Sequence, residues 1–264
     1  MADYVFTRRI CMRLVLYNIR YGTGTGWGYH FPFPFSGCLR KTEGRFRRIS
    51  DFISKLKPDL VGLVETDSGS YRQNGECQAE LMAARLNADS VFACKYHHES
   101  IISRAPLLKS QGNAVVTILP ILSSREHYLS RGVKRTLLEV EFRDFTLFLT
   151  HLSLGYGARK IQIGEVADRC RQAKKPVILA GDGNMYAGEK ELRPLFRKGL
   201  FRNANDGNIP TYPSRLPSLA LDFVLYSEGI EMKSFRVPRV RYSDHLPLVC
   251  DFTAERQDRE ALAS

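Results

Sequence analysis

Apolar residues in this chain fall into short blocks of two kinds. The first kind is β-rich, has no helical period and is bounded by polar residues: residues 13–18, 59–65, 145–151, 177–184, 221–226 and 246–252. Such runs read as buried strands. The second kind repeats at helical spacing: Phe46, Ile49, Phe52, Ile53 and Leu56 within residues 45–57, closed by Pro58; Ala79, Met82, Ala83 and Leu86 within 78–86; and Ile163, Val166, Ala167 and Cys170 within 158–173. These predict amphipathic helices. Further strands are expected over 91–96 and 113–119, and residues 135–142 and 145–151 form a hairpin around Arg143 and Asp144. Strands and helices mixed along one chain predict an α/β protein.

The strands share a second property. The run over 13–18 stops at Asn18, the next at Glu65, another at His151, and another at Asp182 with Asn184 two residues on; Asp244 and His245 stand immediately before the last run. Junctions between strand and loop are where a rigid scaffold presents reactive groups. Asp222 lies inside an apolar run, where an unpaired carboxylate costs several kcal/mol, so it needs a partner, and a histidine is the natural one. Ser243 is placed to hold the backbone ahead of Asp244.

The loops add less. Gly22, Gly24, Gly26 and Gly28 suggest a phosphate cradle, but the spacing is that of neither a P-loop nor a dinucleotide fingerprint. In residues 27–35, Trp27 precedes Phe31, Phe33 and Phe35, which alternate with Pro32 and Pro34. The prolines exclude a regular helix, leaving the rings to cover an apolar patch, meet a lipid surface or stack a base.

Composition narrows the class. With 264 residues, 44% of them hydrophobic, and no linker-like stretch, one domain over 1–264 is expected, its core over 13–253 with accessory tails at 1–11 and 254–264. No apolar run is long enough to span a membrane and no signal core is evident, so a soluble, cytoplasmic monomer is expected. The six cysteines lack metal-ligand spacing and read as reduced. A net charge of +11, with basic clusters at 40–48, 169–175 and 236–241, points to an anionic partner: nucleic acid, an acidic membrane surface or a phosphorylated metabolite.

Taken together, LYNIR with Asn18, GLVET with Glu65, THLSLG with His151, LAGDGNM with Asp182 and Asn184, LDFVLYS with Asp222 and SDHLPLV with Asp244 and His245 resemble the successive motifs of the endonuclease/exonuclease/phosphatase superfamily, in that family's order. The resemblance implies a four-layer α/β sandwich, two mostly antiparallel sheets packed face to face with helices outside and the site at one edge. It implies a metal-dependent phosphoesterase using Mg²⁺ or Mn²⁺, which the hard oxygen donors also suit. Glu65 would be the main metal ligand, assisted by Asn18 and Asp244. Asp182 would orient or deprotonate the attacking water beside Asn184, His151 and His245 would contact the phosphate, and Asp222 would fix His245. Two departures stand out. Gly183 replaces the bulky residue usual between the aspartate and asparagine of the fourth motif, which would loosen that loop or alter substrate contacts. Arg20 stands where abasic-site endonucleases carry an aspartate, and His151 where they carry a tyrosine motif, so the chain is nearer the histidine-containing branch. The basic balance favours nucleic acid as the phosphodiester substrate. The alternatives are a phospholipid or inositol-phosphate head group, with residues 27–35 contacting a membrane, and a catalytically silent protein that holds a phosphorylated ligand.

Overall fold

The computed structural model describes residues 11–25, 36–94 and 110–255. Their strands are β1 (Met12–Asn18), β2 (Leu60–Asp67), β3 (Asp89–Cys94), β4 (Gln111–Thr117), β5 (Ser123–Tyr128), β6 (Thr136–Glu141), β7 (Thr146–His151), β8 (Val177–Asp182), β9 (Arg202–Asn203), β10 (Asp222–Tyr226), β11 (Ile230–Arg236) and β12 (Leu248–Ala254). The main helices are α1 (Glu43–Lys55), α2 (Gln78–Leu86) and α3 (Tyr156–Arg171). The strands form two six-stranded sheets, in the orders β11-β12-β1-β2-β4-β3 and β5-β6-β7-β8-β10-β9.

Each sheet contains one parallel pair, β1 with β2 and β7 with β8, and every other pairing is antiparallel. A parallel pair cannot be closed by a tight turn and needs a crossover, which α1 supplies in one sheet and α3 in the other. Its consequence is functional: both strands of a parallel pair end on the same side. Asn18 therefore shares an edge with Glu65, and His151 with Asp182.

Alternation along the strands builds the layers. Leu14 and Leu16 of β1 face the other sheet, packing in one cluster with Leu147, Leu149, Ile178, Ala180 and Phe252. The intervening Val15 and Tyr17 meet Phe46, Ile49 and Ile53 of α1 and Met82 of α2. In the second sheet Phe148, Leu179 and Phe223 pack under Ile163, Val166 and Cys170 of α3. Helices thus cover both outer faces, which is the four-layer sandwich expected from the motifs.

The structure corrects several boundaries. β1 begins at Met12, paired with Phe252, and β12 reaches Ala254, paired with Ile230. β2 does not stop at Glu65 but continues to Asp67 through a bulge between Leu63 and Thr66. β5 and β11 were not signalled by the pattern of apolar residues because they are sheet edges: SSREHY and IEMKSFR carry the exposed charges that discourage edge-to-edge association. Cys11, Cys77, Cys94, Cys170 and Cys250 are free thiols. No described helix is long and apolar enough to cross a membrane. The aromatic segment over 27–35 lies outside the described residues.

Gly181 permits the closest backbone approach in the second parallel pair: a Cβ there would collide with the carbonyl oxygen of Thr150 on β7. Gly181→Ala is expected to spread β7 from β8 and lower stability by about 1–3 kcal/mol, the usual cost of overpacking. Denaturant unfolding checks this, and a wild-type midpoint would refute the close packing described.

Candidate functional site

The site is assembled by register before any side chain is considered. His151 is the cross-strand neighbour of Asp182, and Asp182 that of Asp222, so three chemically active residues stand in a row across β7, β8 and β10. β1 of the opposite sheet ends against this row: the Asn18 Nδ2 donates to Asp182 Oδ2 at 2.9 Å. His245, from the segment ahead of β12, closes the group through its Nδ1, 2.8 Å from Asp222 Oδ2, while its Nε2 stands 3.8 Å from Asp182 Oδ2. Asp222 thus has the histidine partner its burial required.

Asp182, almost wholly buried, is the hub. Its Oδ2 meets Asn18 and, at 3.2 Å, the Nε2 of His151, and its Oδ1 accepts the backbone N–H of Asn184 at 2.9 Å. Burial works against the charge of this carboxylate, yet the neighbouring His151, His245 and Lys134 and the His151 hydrogen bond outweigh it, holding the pKa well below the ordinary range. Asn184 has a left-handed backbone at φ +49° and turns its side chain inward, donating Nδ2 to the carbonyl of Leu152 at 2.8 Å. That bond braces the strand end that carries His151. Gly183 leaves no gap, because the buried Met185 side chain occupies the space that a Cβ would enter and the Gly183 N–H is bonded to the carbonyl of Leu221 at 2.8 Å.

Glu65 and Asp244 form the partly open side. Glu65 sits in the β2 bulge at φ +54°, a conformation a non-glycine residue adopts only when its surroundings enforce it. Here the Asn113 side-chain oxygen accepts the Glu65 N–H at 3.3 Å. The bulge turns the Glu65 carboxylate toward Lys134, 3.4 Å away, and the Nδ1 of His151, 3.8 Å away. Asp244 accepts the Ser243 hydroxyl at 3.2 Å and pairs with Arg20 at 3.1 Å, and the Ser243 N–H is itself held by the Tyr17 hydroxyl at 3.2 Å. The serine hydroxyl thus holds the Asp244 carboxylate, and the backbone expected to depend on it is held by the hydroxyls of Tyr17 and Ser214.

Two basic residues belong to the site without having been singled out for it. Arg20, noted only as a departure from a motif, neutralises Asp244, and Lys134 lies against both Glu65 and the Nε2 of His151. The position of Lys134 depends on Gln162 of α3, whose Nε2 donates to the carbonyls of Arg131 and Lys134 at 2.7 and 2.6 Å while its Oε1 accepts the Ser153 N–H at 2.9 Å. One buried amide therefore joins the loop bearing Lys134 to the chain just beyond His151. A lysine in a polar loop carries no sequence signal for this, since the clamp comes from a distant helix.

Electrostatics divides the two histidines. Burial and Lys134 push the pKa of His151 down, so it is neutral at pH 7. Burial opposes charge at His245 as well, but Asp222 and Asp182 prevail and raise its pKa to about 10. The site thus offers a neutral imidazole beside a charged one.

Among the described residues, Asp182, Asp222 and His245 bring potential ligand atoms within 4.8 Å of one another. In that cluster His245 Nδ1 and Asp222 Oδ2 are already bonded together. The carboxylates of Glu65 and Asp244, with the Asn18 side-chain oxygen, supply the hard oxygens that Mg²⁺ or Mn²⁺ prefers, and the donor set fits such an ion.

The sequence model of the Endonuclease/Exonuclease/phosphatase family matches residues 15–245. A UPF0294 protein of Yersinia pseudotuberculosis is 28% identical over 171 residues, 62% of this chain and 55% of the relative, so the match spans about half the length of that protein. Among solved structures, the endonuclease/exonuclease/phosphatase protein of Beutenbergia cavernae superposes with a TM-score of 0.70 at 20% identity, covering 94% of this chain and 72% of that one. The human Nocturnin catalytic domain with bound sulfate superposes with a TM-score of 0.65 at 21% identity, covering 93% and 95%.

The His245–Asp222 pair is testable in metal-free protein. A histidine whose proton is held more tightly in the folded state contributes stability that is full below its unfolded pKa of about 6.5 and is lost as pH rises through its folded value. NMR should show His245 titrating near 10. In Asp222→Asn it should titrate far lower and the alkaline loss of stability should shrink. A wild-type His245 titrating near 6.5 would refute the assignment.

Proposed function

The chain belongs to the endonuclease/exonuclease/phosphatase family, and from that premise we propose that it is a Mg²⁺- or Mn²⁺-dependent phosphodiesterase acting on nucleic acid. The observation that carries this reading is the convergence of Asn18, Glu65, His151, Asp182, Asp222, Asp244 and His245 at one edge of the sandwich. Such a set matches what phosphodiester hydrolysis demands: an oriented water, positive charge at the non-bridging oxygens and stabilisation of the departing oxygen.

Roles follow from the chemistry of each group. Asp182 stays ionised among its donors, so it is suited to orienting the attacking water and less to storing its proton. Neutral His151, beside it, is the group able to take up a proton. His245, charged and fixed by Asp222, donates to a phosphoryl oxygen as negative charge accumulates there, and Lys134 adds a second cationic group. Glu65, Asn18 and Asp244 would hold the divalent ion, which when bound supplies Lewis-acid polarisation of the phosphate. Four carboxylates, Glu65, Asp182, Asp222 and Asp244, are set against three cationic groups, Arg20, Lys134 and His245. That surplus favours a metal ion.

Support for nucleic acid over a lipid head group is electrostatic: a charge of +11 suits a polyanion.

The test is a panel of single-stranded and duplex DNA, RNA, sphingomyelin, phosphoinositides and bis(p-nitrophenyl) phosphate, assayed with Mg²⁺ and with EDTA. Hydrolysis of nucleic acid should vanish with chelator and return with metal. Glu65→Ala, Asp182→Ala and His245→Ala should each lower kcat by about 10²-fold or more. Wild-type turnover by Asp182→Ala would defeat the mechanism, and hydrolysis of lipids alone would defeat the substrate assignment.

A further inference from the structure

Beside the catalytic edge, Gly24, Arg45, Arg48, Arg215, Arg241 and Tyr242 line a concavity of about 200 Å³. The four arginines come from three separate parts of the chain. Arg45 and Arg48 lie one turn apart on the exposed face of α1, opposite the buried Phe46, Ile49 and Ile53. Arg215 and Arg241 come from the two segments that flank β10 and β11. Among the described residues no carboxylate is ion-paired with any of the four. Guanidinium groups gathered without counter-charges repel one another, an arrangement that an anion relieves and that planar forked donors are shaped to accept.

The concavity is built into the site's own framework. Arg45 donates to the carbonyl of Thr23, and its guanidinium lies where a side chain on residue 24 would be; Gly24, at φ +80°, accepts that approach because it has no Cβ. Thr23 in turn bonds through its N–H and hydroxyl to the carbonyl of Arg20, at 2.9 and 2.7 Å, and Arg20 holds Asp244. On the opposite wall, Ser214 next to Arg215 donates its N–H to the Asp244 carbonyl at 2.7 Å and its hydroxyl to that of Ser243 at 2.6 Å. Tyr242, between Arg241 and Ser243, is seated on Phe52 of α1 with ring centroids 5.9 Å apart. Every wall is tied to the segments that position Asp244 and His245.

We propose that this arginine-lined cleft is a second phosphate subsite, which holds a backbone phosphate of a nucleic-acid strand flanking the phosphodiester under attack. It rests on the nucleic-acid phosphodiesterase reading above and adds to it a requirement: the substrate carries charge beyond the scissile group. A contact to a flanking phosphate sets the register of the strand on the enzyme, with no dependence on base identity. The cleft is therefore a positioning device that distinguishes a strand from a lone phosphodiester.

The test compares Arg48→Gln/Arg241→Gln with Arg169→Gln/Arg171→Gln, which removes the same charge from the exposed end of α3. Binding of a fluorescein-labelled single-stranded oligonucleotide is followed by anisotropy in EDTA over a salt series, and kcat/KM is measured with Mg²⁺ for the oligonucleotide and for bis(p-nitrophenyl) phosphate. The cleft pair should flatten the dependence of log K on log salt by roughly 0.7 per arginine removed, the value for single-strand phosphate contacts. It should also lower the ratio of kcat/KM for oligonucleotide over the small diester by about tenfold or more, with no such change in the α3 pair. Equal losses in both double variants, or a wild-type slope and ratio in the cleft pair, would overturn the subsite. If wild-type protein cleaves the small diester and phosphoinositides but not the oligonucleotide, the strand assignment falls while the phosphodiesterase reading stands. If it cleaves nothing in the panel, the phosphodiesterase reading itself falls.

Discussion

A single hydrogen bond, from the Asn18 amide to the Asp182 carboxylate at 2.9 Å, joins the two sheets at the point where chemistry would occur. Each partner ends a strand of a parallel pair, one in each sheet. The apolar interior between the sheets supplies the stability, but it is tolerant of small slips. A buried amide donating to a buried carboxylate is not, because either group left without its partner pays the cost of desolvation. The bond therefore fixes how the edges of the sandwich meet, and His151, Asp222 and His245 are arranged around the carboxylate it orients.

The rest of the site shows order maintained against local preference. Glu65 is held in a left-handed conformation by a bulge, and Asn184 likewise in the turn after β8. Buried carboxylates crowd together, compensated by Arg20, Lys134 and a charged His245. Such an arrangement persists because the surrounding sheets determine the backbone independently of the site. Gly183 and Met185 show the same economy: a side chain two residues away fills the place of one that is missing, and the turn keeps its shape.

Charge outside the site has a different character. Within it, each cation faces a carboxylate. In the neighbouring cleft, Arg45, Arg48, Arg215 and Arg241 line one concavity, and among the described residues none of them is ion-paired with a carboxylate. A centre rich in carboxylates beside a cluster of arginines is a physical basis for separating chemistry from the recognition of a long polyanion, since the first must be preorganised and the second needs only to attract and align.

Much of this was legible in the sequence. The apolar runs marked the strands that form the centre of each sheet, because a strand buried on both faces must be apolar throughout. Asn18, Glu65, His151, Asp182, Asp222 and His245 were conspicuous as polar residues at the ends of, or within, such runs, and the pairing of Asp222 with a histidine followed from the cost of burying a lone carboxylate. The edge strands β5 and β11 were not legible, since exposure on one side leaves little apolar signal, nor was the Glu65 bulge, which depends on pairing with β4. Lys134 and the arginine cleft escaped for a deeper reason. Their neighbours are remote in the chain, and a basic residue in a loop or on an exposed helix face looks the same whether it faces water or a site. The sequence by itself determined which strands are buried and which residues can act. Only the tertiary structure decided which of them meet, because side-chain contacts across two sheets depend on how the strands are ordered and the sheets stacked, and no local pattern encodes either.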